Sequence, residues 1–215
     1  MMLETIFTLL TVCFLGRMSP GPDMMLLIHH AGCGGHSEKR GLFCGSPAVY
    51  GCVLGVCLGL TFHVSLSVLG LALVLKSNPL IYNILRYAGA VYLIYIGYRC
   101  FTDNGGIELE SSAECATGAG FMKGFKDGLF CNLLNPKVTL FILSIFMQLI
   151  GPDAGLGEKA IYGSVILLEA LFGWGLFVLF LNTSVMQRIY CDYVGVINKV
   201  TGVILFMLGG LIFFG

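Results

Sequence analysis

Ser19-Pro20-Gly21-Pro22-Asp23 interrupts an apolar segment running from Leu3 to Ile28, and Asn132-Leu133-Leu134-Asn135-Pro136-Lys137 interrupts another from Lys126 to Ile150. Each insert combines helix-breaking proline with a charged residue inside a stretch long enough to cross a bilayer, which takes about 20 mostly apolar residues. Four more segments of that kind follow the same pattern without a break: Ala48–Leu75, Pro79–Phe101, Lys159–Leu181 and Tyr193–Phe214. The expected fold is therefore an all-α integral membrane protein of about six transmembrane helices.

Composition supports the bilayer as solvent. Of the 215 residues 57% are hydrophobic and only 11% charged, against about 25% charged in a soluble domain; the mean hydropathy is +0.89. The formal net charge is zero, so no basic footprint points to nucleic acid. The N-terminal stretch carries Glu4 where a secretory signal would carry Lys or Arg, and the Arg17-to-Asp23 break stands where a small-residue cleavage site would be. The first helix is expected to stay in the protein.

The second half repeats the first. Gly89 and Gly97 are eight residues apart in an apolar run, as are Gly202 and Gly210. Pro20 precedes Gly89 by 69 residues and Pro136 precedes Gly202 by 66. Residues 1–101 and 123–215 then read as two three-helix repeats joined by an acidic, Gly/Ser/Ala-rich joint, 102–122. An odd number of spans per repeat inverts one against the other, a transporter signature with the binding site near the midplane. Lys39, Arg40, Arg99, Lys123, Lys126, Arg188 and Lys199 gather on one side, Lys76, Arg86 and Lys159 on the other. The richer side is expected in the cytoplasm and both termini outside. A re-entrant first segment would instead bring the N-terminus inside.

A charge near the bilayer centre costs about 2.5–3.5 kcal/mol on insertion scales and is retained where it faces a cavity or a partner. Asp23 and Lys137 follow the two breaks; Glu169 lies mid-span, ten residues from Lys159 and twelve from Leu181; His63 follows Gly55-x-x-x-Gly59, a face for close helix approach. Carboxylate and imidazole groups in such places can take up and release a coupling proton. The purely structural alternative is an Asp23–Lys137 ion pair across the pseudo-twofold.

Four motifs in register, Ser19-Pro20-Gly21-Pro22-Asp23, Gly55-x-x-x-Gly59-x-x-x-His63, Gly89-Ala90-Val91-Tyr92-Leu93-x-x-x-Gly97 and Asn132-Leu133-Leu134-Asn135-Pro136-Lys137-x-x-x-Phe141, resemble those of the LysE/threonine-efflux (RhtB) exporters along nearly the whole chain. The resemblance implies proton-motive export of amino acids or close derivatives across a bacterial inner membrane, by a carrier and not an enzyme. It implies cavity roles for Pro20, Asp23, Asn135, Pro136 and Lys137. With the neighbours Ser19 and Gly21 and the ionisable His63 and Glu169, these are the candidate substrate-binding or coupling residues. Three features depart from the family pattern: Arg17 is a charge where an apolar or small residue is expected, Met147-Gln148 replaces a proline–glutamine pair, and Leu42–Gly51 is several residues long.

Nine cysteines occur without a C-x-x-C, and Cys13, Cys52, Cys57 and Cys131 read as small apolar filler. A membrane thiol–disulfide carrier using Cys13 and Cys131 is one competing reading. Metal-ion efflux or metal response through His29, His30, Cys33, His36 and Cys44 is another, though their spacing matches no closed site. No cofactor and no metal are assigned. Homo-oligomerisation is compatible with the sequence and not specified by it.

Overall fold

The computed structural model describes residues 2–19, 21–32, 46–77, 79–102, 120–150, 154–181 and 184–214. They form eight α-helices and, among the described residues, no strand: α1 (Met2–Met18), α2 (Pro22–Gly32), α3 (Pro47–Ser77), α4 (Pro79–Thr102), α5 (Phe121–Leu133), α6 (Pro136–Leu149), α7 (Leu156–Leu181) and α8 (Ser184–Phe214). Helices lie over all six predicted segments, but among the described residues at most four of them qualify by length and composition as membrane spans. The two with prolines are each split in two: α1 and α2 are bent by 63°, α5 and α6 by 58°. By length and composition α3 and α7 can each cross a membrane, and each bent pair qualifies if taken as one span.

The apolar residues point both ways. On α3, Leu54, Leu58, Phe62, Leu66 and Leu69 are exposed, while Val56, Leu60, His63 and Val64 on the other face are buried. Tyr87, Val91, Tyr95 and Tyr98 on α4 and Leu168, Phe172 and Leu176 on α7 are exposed in the same way. Apolar stripes at helical spacing on several outer faces are far more than a soluble surface tolerates; hydrocarbon suits them.

Each break has a local cause. At the second, Leu134 N–H reaches back to Phe130 O at 3.0 Å and ends α5, Asn135 caps α6 by accepting from Lys137 N–H at 3.0 Å, and Pro136 takes the first helical position, where no N–H is needed. At the first, Ser19 N–H bonds Leu15 O at 3.1 Å, and α2 restarts at Pro22 with Met25 N–H on Gly21 O at 3.0 Å. Pro20, expected to break this ladder, lies outside the described residues.

Glycines set how the helices meet. Along α3 and α5 the contacts rise together in number: a Cβ on Gly124 would overlap Ala48 O, one on Gly128 would overlap Cys52 O, and one on Gly55 would overlap Phe125 O. The two helices thus run parallel, backbone on backbone, along the Gly55-x-x-x-Gly59 face. Helices α4 and α8 run antiparallel: Cβ atoms built on Gly97 and Gly202 would each lie 2.9 Å from the other's carbonyl oxygen, and one on Gly209 would lie 2.7 Å from Ala90 O. At the end of α6, Met147 is buried and Gln148 Nε2 donates to Arg86 O of α4 at 3.3 Å. Of the Leu42–Gly51 stretch, residues 42–45 lie outside the described residues, and Pro47 to Gly51 form the start of α3.

Candidate functional site

The two breaks touch. Asp23, in the first turn of α2 and 6% exposed, accepts from Asn132 Nδ2 at 2.7 Å and, on its other oxygen, from Asn135 Nδ2 at 3.4 Å. Cys131 Sγ also donates to that oxygen at 3.4 Å. Asn132 and Asn135 share one face by their three-residue spacing, and Gly59 opposite leaves room for the first of them: a Cβ there would lie 2.7 Å from Asn132 Oδ1. In return Lys137 Nζ donates to the backbone oxygen and to Oγ of Ser19, both at 3.3 Å. Ser19 Oγ also meets Cys100 Sγ of α4 at 3.3 Å.

The Asp23–Lys137 ion pair considered from sequence does not form. Each charge instead binds polar groups of the opposite break, amides for the carboxylate and a freed carbonyl with a hydroxyl for the ammonium. A buried charge needs hydrogen-bond partners, and neutral dipoles can provide them without a counter-ion. Cys131 is likewise more than apolar filler, because its thiol faces the carboxylate.

His63, 4% exposed, bridges α3 to the second break. Its Nε2 is 3.1 Å from Asn132 O and its Nδ1 is 3.3 Å from Thr139 Oγ, which in turn donates to Asn135 O at 3.3 Å. Asn132 O belongs to the last turn of α5, where the helix dipole is negative, and Asn135 O is the capping carbonyl at the start of α6.

Glu169 does not join these groups. It pairs with Arg17 Nη2 at the end of α1, both side chains being at most 10% exposed. The Arg17 guanidinium lies 5.6 Å from the ring centroid of Trp174, within cation–π range. The unexpected charge at Arg17 and the mid-span charge at Glu169 thus account for each other. The signal was present in the sequence, since a lone buried charge demands a partner, but nothing local linked residues 152 positions apart.

A cavity of about 90 Å³ opens between the breaks, α1, α3 and α7. Arg17, Ser19, Gly21, Asp23, Asn135 and Lys137 contribute its polar lining, and Cys13, Val56, Leu60, Phe141, Ile166 and Trp174 belong to its remaining wall. This is room for several water molecules. Of the predicted residues, Ser19, Gly21, Asp23, Asn135 and Lys137 line it directly; Pro136 starts α6 beside it, His63 sits behind Asn132, and Glu169 reaches it only through Arg17. Asn132, Thr139, Arg17 and Trp174 are additions from the structure. At the far end of α2, His30 Nε2 lies 3.3 Å from Asp127 Oδ2 of α5; Cys33, His36 and Cys44 of the proposed metal-binding joint lie outside the described residues.

Comparison with known proteins gives the family. The chain is 26% identical to an uncharacterised membrane protein of Bacillus subtilis over 88% of its own length and 89% of the relative's. It is 29% identical to a leucine efflux protein of Klebsiella pneumoniae over 79% of this chain and 74% of that one. A threonine efflux protein of Salmonella typhi is 28% identical over 79% and 78%. No solved structure matches the chain. The family profile of the LysE type translocators covers residues 14–214, and with the paired proline breaks inside apolar helices the chain belongs to that family.

Proposed function

We propose that this protein is a secondary exporter of amino acids or close derivatives, built as two inverted three-helix repeats (1–101 and 123–215, joined through 102–122) and driven by protons across a bacterial inner membrane. The observation that carries the reading is the reciprocal contact of the two breaks, Asp23 on Asn132 and Asn135, Lys137 on Ser19. Two interrupted helices facing each other expose N–H and C=O ends to a shared cavity, where a zwitterion has complementary groups for both its ends. Asp23 takes the cargo ammonium or the coupling proton, and Lys137 takes the carboxylate. The leucine and threonine efflux relatives support amino-acid cargo. The parallel α3–α5 and antiparallel α4–α8 packing is what an inverted repeat requires.

His63 is the second proton-bearing group. When both ring nitrogens carry hydrogen, Nε2 donates to Asn132 O, Nδ1 to Thr139 Oγ, and Thr139 to Asn135 O, so every contact runs from donor to acceptor. His63→Ala is expected to alter the pH dependence of export without abolishing it.

Efflux of radiolabelled amino acids from dipeptide-loaded cells, measured alongside membrane abundance, tests the site. Asp23→Asn and Lys137→Met should each lower export about a hundredfold or more while the protein still inserts, since each strips a buried group from partners on the opposite break. The double variant should not restore transport. Normal export from both single variants would sink the site. Reporter fusions at the C-terminus and in the 102–122 joint check the topology, with an external C-terminus and a cytoplasmic joint expected.

A further inference from the structure

We propose that Arg17 shares the cargo's carboxylate with Lys137 and is the reason the cavity refuses cargo with a second positive charge. This rests on the cavity being the transport site. Arg17 lines that cavity beside Lys137 and Asp23. One arm of its guanidinium, Nη2, is held by Glu169; the other, Nη1, is shut off from solvent and makes no hydrogen bond among the described residues, on a side chain only 6% exposed. A guanidinium offers five N–H donors in a planar fork, and a buried donor left unmade is costly unless something arrives to accept from it. A carboxylate is the acceptor whose geometry matches that fork.

Arg17 is seated against α7. A Cβ on Gly173 would overlap the guanidinium at Nη1, so the α7 backbone covers that arm, and the Trp174 ring lies 5.6 Å away. Glu169 holds Nη2, and Nη1 turns off Gly173 toward the cavity to meet a carboxylate. The charged residues of the cavity lining are then two cations, Arg17 and Lys137, and one anion, Asp23, already engaged by Asn132, Asn135 and Cys131. An amino acid with an uncharged side chain finds a cation for its carboxylate, Asp23 for its ammonium, and Val56, Leu60, Phe141 and Ile166 for the rest. A lysine side chain would bring a second ammonium beside two cations, with Asp23 taken by the first ammonium and Glu169 by Arg17.

Trp174 is the one tryptophan of the chain, so its fluorescence reports directly on this wall. The purified full-length protein in detergent is titrated with L-leucine, with L-leucinamide, which lacks the carboxylate, and with L-lysine. L-Leucine should give a saturable change, and the other two should bind about ten- to hundredfold more weakly. Arg17→Gln alone would leave Glu169 buried without its partner, so the informative variant is Arg17→Gln combined with Glu169→Gln. It should weaken L-leucine by a similar factor and narrow the gap to L-lysine. L-Leucine bound equally by the wild type and the double variant, or L-leucinamide bound as tightly as L-leucine by the wild type, overturns the role of Arg17 alone. A wild-type protein that binds none of the three probes overturns the transport reading together with it.

Discussion

Where α3 meets α5, Gly55, Gly124 and Gly128 press backbone against backbone. Where α1 crosses α7, Gly173 presses against the head of Arg17 instead, with Glu169 and Trp174 around it and the cavity alongside. Under the proposed repeat these seams are equivalent, because α3 corresponds to α7 and α5 to α1. The difference shows which property each half has specialised. Small residues let backbones approach and gain dispersion contacts along a whole helix. At the other pair a long polar side chain fills the contact and brings charge beside the cavity.

The comparison can be broken at either seam. The largest effect is expected from Gly124→Leu or Gly55→Leu, because even the first carbon of the new side chain overlaps backbone that cannot yield. Membrane abundance should fall about tenfold or more, as expected when a destabilised protein is cleared, and quantitative immunoblotting of membranes reads it. Gly173→Ala should differ in kind. Its added methyl displaces a flexible guanidinium, so abundance should stay near wild type while apparent affinity for exported L-leucine falls about tenfold, the loss expected of one charge-assisted hydrogen bond. If Gly173→Ala removed the protein and Gly124→Leu did not, the roles assigned to the two seams would be reversed.

A smaller effect is expected behind the second break. His63→Ala should move the pH profile of efflux, measured across the range from mildly acidic to mildly alkaline. An unchanged profile would remove His63 from coupling. The smallest effect is expected at the thiols. Cys131→Ser keeps a donor for Asp23, and Cys13 is buried in α1 among apolar residues. Cys13→Ser with Cys131→Ser should leave efflux within about twofold of wild type, within the small change expected of conservative substitutions. Loss of activity together with a disulfide between the two native cysteines on oxidation would favour the electron-carrier reading.

Much of the candidate site was readable along the chain because its markers are local. Pro22 and Pro136 start helices wherever they fall, Asn135 caps its own helix two residues on, and Asp23 and Lys137 stand beside the breaks for the same reason. What the sequence left open were the partners. Asp23 and Lys137 look like a pair by charge alone, yet each is closer to the dipoles of the facing break. Arg17 looks like a misfit until α7 brings Glu169 beside it. Cys131 and Asn132 precede the second break by a single turn, but which of them faces Asp23 depends on the rotation of α5, and that rotation is set by the glycine contacts with α3.

The sequence by itself determined that the chain lies in a membrane, that its helices are apolar and that two of its apolar segments are interrupted. Those properties follow from hydropathy and from missing backbone donors, both of which act within one turn or one segment of helix. Only the tertiary structure decided that the interruptions satisfy each other, that α3 closes on α5 while Arg17 fills the contact of α1 with α7, and that Glu169 supports a cation and stays out of the central cluster. Those outcomes depend on which helix faces are brought together across more than a hundred residues, where a buried charge takes whichever partners packing places within about 3 Å of it.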